Sequence, residues 1–158
     1  MKNLLIIAML FFLAACGAVD RKEKPMKPSD LQDFASRYAE AWSSQKPRSV
    51  ALFFSENGSL KVNAAAPAVG RAEIEEVALG FMSAFPDMRV SFDSLGADGE
   101  RTLFYWTLTG TNTGPGGSGR SVEISGHESW VFDANGLIAE SLGSYDAEEY
   151  ERQLSGGE

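Results

Sequence analysis

Glu128 is the side chain whose type and position point most directly to chemistry. It lies in Ser121 to Asp133, SVEISGHESWVFD, where polar and apolar residues alternate as in a strand with one buried face. Val122, Ile124, Gly126, Glu128, Trp130 and Phe132 share one parity, and the other parity is nearly all polar. The alternation therefore sets a carboxylate on the apolar face. A buried carboxylate is costly unless hydrogen bonds or a partner charge satisfy it. Burial also raises its pKa and makes it a stronger base, suited to taking a proton alpha to a carbonyl. A structural carboxylate held by a tyrosine or an arginine is the alternative reading.

Other groups qualify this candidate. Glu140 would join it if it faced inward, and two neighbouring carboxylates would push one pKa up, but solvation on an outer face fits it equally well. His127 is the single histidine and alternates onto the opposite face, which suits a surface or an interface unless a bulge at Gly126 changes the parity. Trp42, Phe104, Trp106 and Trp130 could wall a cavity for a flat hydrophobic ligand, and Tyr38 stands one helical turn from Trp42. Ordinary core packing explains each aromatic taken alone. One histidine and one cysteine disfavour a metal site, and no Ser-His-Asp or Cys-His arrangement can be drawn.

These residues need elements to hold them. A helix is expected over Asp30 to Ser44, with Ser29 and Gln32 as a capping box and Leu31, Phe34, Ala35, Tyr38 and Trp42 on one stripe. A short helix over Arg48 to Phe54, a turn at Asn57-Gly58 and a short strand over Ser59 to Asn63 follow. Arg71 to Phe85 reads as a third helix, stopped by Pro86. Met88 to Leu95 and Arg101 to Thr111 read as strands joined by a turn at Ala97-Asp98-Gly99, with Phe104, Trp106 and Leu108 facing inward. Gly114 to Gly119, GPGGSG, fits a hairpin connection and matches no phosphate-binding glycine spacing.

Thirteen residues from Ser121 would span about 43 Å at roughly 3.3 Å each, long for a straight strand, so a bend or bulge is expected at Gly126. Asn135-Gly136 then turns the chain into a last strand, Leu137 to Ser144, whose inward parity the sequence leaves open. Asp146 and Glu149 can cap a final helix carrying Tyr150 and Leu154. Helices first and sequential strands afterwards predict an α+β domain, with about three N-terminal helices on one face of a bent, mostly antiparallel sheet.

The 158 residues, 44% hydrophobic, suit one domain with a sizeable core. The first residues are set apart: Lys2 precedes the apolar run Leu4 to Leu13, as in a secretory signal. That run is well short of the roughly 20 residues that span a bilayer. Leu13-Ala14-Ala15-Cys16 resembles the lipobox of bacterial lipoproteins, which implies cleavage after residue 15 and a lipid on Cys16. Residues 16–28 then read as lipidated cysteine and solvated tether, 29–154 as the domain and 155–158 as a polar tail. Gly17 in place of an Asp points to the outer membrane, facing the periplasm. Without the signal the chain carries 13 Lys and Arg against 22 Asp and Glu, which argues against nucleic acid as a partner.

Several segments in order carry a resemblance: Trp42, Gly70-Arg71-Ala72-Glu73-Ile74, Ala84-Phe85-Pro86-Asp87-Met88, Trp106 to Gly114, Trp130-Val131-Phe132 and Asn135-Gly136-Leu137-Ile138. Together they resemble the SnoaL-like branch of the nuclear transport factor 2-like superfamily over residues 29 to 154. The resemblance implies a cone-shaped barrel with a pocket between helices and sheet, frequent homodimers packed sheet to sheet, and acid-base chemistry without a cofactor in some members. Relatives often have GTHTG where this chain has Asn112, which can contact a ligand but cannot titrate, and an Asp where it has Glu128. Two functions follow as expectations. One is an envelope-anchored protein binding a small hydrophobic molecule through Tyr38, Trp42, Phe104, Trp106, Asn112, Glu128, Trp130 and Glu140. The other is a cofactor-independent isomerase, cyclase or hydrolase acting on a carbonyl compound, with Glu128 as base.

Overall fold

Apolar residues at helical spacing bury one side of α1, Pro28–Ser43, through Phe34, Ala35, Tyr38 and Trp42. The structure, a computed structural model, describes residues 27–157, so the signal segment, Cys16 and nearly all of the tether lie outside the described residues. Helix α1 begins earlier than expected because a proline at the first helical position presets the backbone. The Ser29–Gln32 capping box does not form: Lys27 is the N-cap, and the Ser29 hydroxyl donates to Asp30 instead. A short helix α2, Pro47–Ala51, leads into β1, Phe54–Val62. Two residues of β2, Ala68–Val69, precede α3, Arg71–Ala84, which buries Ile74, Ala78 and Met82.

Four strands and a helix follow: β3, Arg89–Asp98; β4, Arg101–Thr111; β5, Ser121–Phe132; β6, Ile138–Tyr145; and α4, Ala147–Ser155. Asp146 caps α4 by accepting from the Glu149 amide at 2.9 Å. One six-stranded sheet results, in the order β2-β1-β6-β5-β4-β3. Every neighbouring pair is antiparallel except β1 with β6, which is parallel. The fold is α+β with a mixed sheet. Helices α1 to α3 lie on the side carrying Phe104 and Trp130, whose rings stack at 4.7 Å; Tyr38 meets Trp130 edge-on at 5.2 Å.

Two expected interruptions of the chain are something else. Asn57-Gly58 does not turn it: both residues lie within β1, where the register against β6 shifts between Phe54 and Ser59. A side chain on Gly58 would bring a Cβ to 2.7 Å from the Ile138 carbonyl oxygen, so the glycine serves close approach of two strands. Gly126 makes no bulge either. Pairing of β4 with β5 runs without a shift from Thr102↔Trp130 to Thr111↔Ser121. A Cβ on Gly126 would stand 2.5 Å from the Ser144 carbonyl oxygen and 2.6 Å from the Trp106 ring, so the absent side chain makes room for an indole.

The shift on the last strand settles which face points inward. Phe132 pairs with Ile138 and Val131 with Glu140, leaving Ala139 as an extra residue. Ile138 is buried before it and Ser141 after it, whereas Glu140 is partly exposed and Leu142 exposed. Parity therefore changes sides within one strand.

Candidate functional site

Inward alternation on β5 buries Val122, Ile124, Glu128 and Trp130, and the ladder sets Glu128 between Phe104 of β4 and Gly143 of β6. Three neutral groups hold the carboxylate. Its Oε2 accepts from the Ser141 hydroxyl at 2.6 Å, the Trp130 indole at 2.9 Å and the Tyr38 hydroxyl at 3.0 Å. Oε1 has only the longer approach of Tyr38, 3.3 Å. One oxygen is thus fully engaged and the other nearly free.

Burial raises the Glu128 pKa from its ordinary 4.5, and the hydrogen bonds from Ser141, Trp130 and Tyr38 oppose that rise. Burial, and next the charge of Glu128, push Tyr38 well above its ordinary value. The Trp42 indole stands near enough to the Tyr38 oxygen to oppose that rise, without a hydrogen bond of acceptable geometry. Tyr38 therefore keeps its proton and donates.

Glu128 also borders a cavity of about 50 Å³. Trp42 of α1, Phe81 of α3, and Phe104, Trp106 and Leu108 of β4 form much of its wall. Such a cavity is apolar with one carboxylate at its edge, the composition of a small-molecule site. On the measure in which one water needs roughly 10–15 Å³, the space suits a molecule of only a few non-hydrogen atoms. Among the described residues, no group of three or more His, Cys, Asp or Glu is placed to hold a metal ion.

The expected site residues divide into three groups. Trp42, Phe104, Trp106 and Glu128 come together around the cavity. Tyr38 and Trp130 are fully buried behind it and act on Glu128 rather than on the cavity. Asn112 and Glu140 do not line this cavity. β4 ends at Thr111, and the Asn112 amide closes the glycine-rich connection, donating to the Ala84 carbonyl at 3.1 Å and accepting from the Ser118 amide at 2.7 Å. The extra residue Ala139 turns Glu140 outward, where it pairs with Arg101 at 2.7 Å.

His127 lies on the face opposite Glu128, half-buried, with its ring 5.7 Å from that of Tyr105. Sequence reasoning missed Ser141, because a lone serine carries no inward signal until the preceding bulge is known. Phe81 lies on α3, and only packing shows that it reaches the cavity.

Comparison with known proteins agrees with this architecture. The family model of SnoaL-like polyketide cyclases matches residues 32–154. Comparison with proteins of curated function gives no match. Among solved structures, a candidate SnoaL-like polyketide cyclase from Jannaschia sp. CCS1 superposes with a TM-score of 0.72 at 17% identity, covering 85% of this chain and 97% of that one. TsrD from Streptomyces laurentii gives 0.70 at 20% identity, covering 82% and 97%. A protein of ketosteroid isomerase-like fold from Catenulispora acidiphila DSM 44928, solved with trimethylamine, gives 0.68 at 14% identity, covering 78% and 92%. At these identities the likeness concerns the fold. With the family model matched from α1 through α4, the chain belongs to the SnoaL-like polyketide cyclase family.

Proposed function

We propose that the domain binds a small, largely apolar molecule in the Glu128 cavity, and that a lipid on Cys16 anchors it in the cell envelope, in the outer membrane facing the periplasm. The observation that carries the binding reading is one buried carboxylate, fixed by three neutral donors, at the edge of an otherwise aromatic and aliphatic cavity. The lipobox-like Leu13-Ala14-Ala15-Cys16 supports the anchor. Mass spectrometry of the mature chain, purified from its own host without added ligand, tests both. The native spectrum is expected to hold a co-purifying small molecule, on a monomer or on the homodimer that the family resemblance implies. The denatured spectrum is expected to begin at an acylated Cys16. An empty protein at its polypeptide mass would sink the binding reading, and an unmodified Cys16 the anchor.

A second reading is favoured by the near-free Oε1 and by the burial that raises the Glu128 pKa: a cofactor-independent enzyme in which Glu128 takes a proton alpha to a carbonyl. Glu128→Gln preserves shape and three of the same neighbours, so it is expected to fold under either reading. Under the second it abolishes turnover of the co-purified compound. Unchanged turnover would exclude Glu128 as the base.

A further inference from the structure

Helix α4 is tied to the rest of the molecule through one side chain. None of its residues is buried, and its apolar groups, Tyr150 and Leu154, lie partly buried against the core. Asp146 caps its start, Gly156 ends it in a left-handed conformation, and Arg152 pairs with Glu149 inside it at 2.6 Å. Among the described residues, two hydrogen bonds join α4 to the other elements, and Gln153 makes both. Its side-chain oxygen accepts from the Glu123 amide at 2.7 Å, and its Nε2 donates to the Glu123 carbonyl at 2.9 Å. Nε2 also donates to Glu149 at 2.7 Å, which orients the amide.

The sheet explains why a glutamine stands there. β6 ends at Tyr145, opposite Gly126, so β5 from Ser121 to Ser125 pairs with β4 on one edge and with no strand on the other. Backbone groups at such an edge need partners. A glutamine side chain offers one acceptor and a donor beside it, as a peptide unit does. Gln153 thus replaces a strand at a single residue. Breaking its two bonds returns Glu123 to water, while the caps and the ion pair within α4 stay made.

The helix also backs the cavity. Tyr145, the last residue of β6, is half-buried and belongs to the cavity wall. Its ring lies 6.3 Å from that of Trp106, another wall residue, and 5.6 Å from that of Tyr150 on α4, which in turn meets Phe85 at 6.3 Å. Elements that open to admit ligands are drawn from the parts of a fold with the fewest buried contacts. We infer that α4 is a lid on the Glu128 cavity, latched by Gln153 to the edge of β5, and that its release frees Tyr145 and opens the way in. The inference rests on the binding reading above and adds the route by which a ligand enters.

The test is thiol labelling of the full chain by methyl methanethiosulfonate, read by peptide mass so that Cys16 is followed separately. One chain carries Leu108→Cys in the cavity wall, and a control carries Ala78→Cys, buried on α3 and not lining the cavity. Where closing outruns labelling, the rate follows the population of the open form. Gln153→Ala is expected to speed labelling about tenfold or more in the Leu108→Cys chain, and to stay within about threefold in the control. Equal acceleration of both would show α4 to be part of the global fold and overturn the lid. No acceleration in either would overturn the latch. If Gln153→Ala does not fold, Gln153→Glu, which keeps the acceptor and loses the donor, carries the same comparison: acceleration in the Leu108→Cys chain alone is expected, and equal acceleration or none would overturn the lid. Labelling needs no bound molecule, so an empty native spectrum would end the binding reading separately from these rates.

Discussion

Burial pulls Glu128 towards its protonated form, while Ser141, Trp130 and Tyr38 pull it back. Its folded pKa lies above the ordinary 4.5, so the folded chain holds this proton more tightly than the unfolded one. The stabilising contribution is therefore fully present below about 4.5 and is lost as pH rises through the raised value. Glu128→Gln cannot ionise and escapes this loss. Relative to wild type, the variant should gain stability between pH 4 and pH 8, read by urea denaturation at both ends. A stability gap that does not move with pH would show that burial does not govern the titration. The inward position of Glu128 was legible from alternation alone. Its partners were not: Tyr38 lies 90 positions away in sequence and Ser141 lies 13 away across a bulge.

At the level of elements, glycines mark where strands and rings approach closely. Gly126 faces the Trp106 ring and the Ser144 carbonyl, and alanine there would need both to move. Gly126→Ala is expected to cost about 1–3 kcal/mol through overpacking. Gly80 is the opposite case. It sits exposed within α3, and a Cβ there would meet nothing within 4 Å, so Gly80→Ala should stabilise by about 0.5–1 kcal/mol through helix propensity alone. Urea midpoints of the two variants should move in opposite directions; a shared direction would refute the packing argument at Gly126. Periodicity placed α1, α3, β4, β5 and the hairpin at Gly99 closely. It failed at the register shifts in β1 and β6, because an extra residue that reverses parity leaves no mark in composition. The extra residue in β6 sets Ser141 inward and Glu140 outward, and the Asn112 side chain is taken up by the connection that follows β4.

Across the whole molecule, β6 joins the early and late parts of the chain. It lies between β1 and β5, pairing parallel with one and antiparallel with the other. A chain ending at Phe132 would keep the β3-β4-β5 meander and all three N-terminal helices, yet β1 would be left with only the two-residue β2 beside it, and Glu128 would lose its Ser141 donor. Such a chain is expected to lack dispersed amide resonances and a cooperative urea transition. A cooperative transition in it would show that the meander and helices fold independently of β6. From the sequence alone came the family resemblance, the α+β order, the lipobox-like start as an expectation and the inward face of β5, because local spacing and alternation record which face of an element avoids water. Only the tertiary structure decided which oxygen of Glu128 is occupied and which face of β6 is buried. Those are properties of pairs brought together across the sheet and from the helices, and no local pattern encodes the register that pairs them.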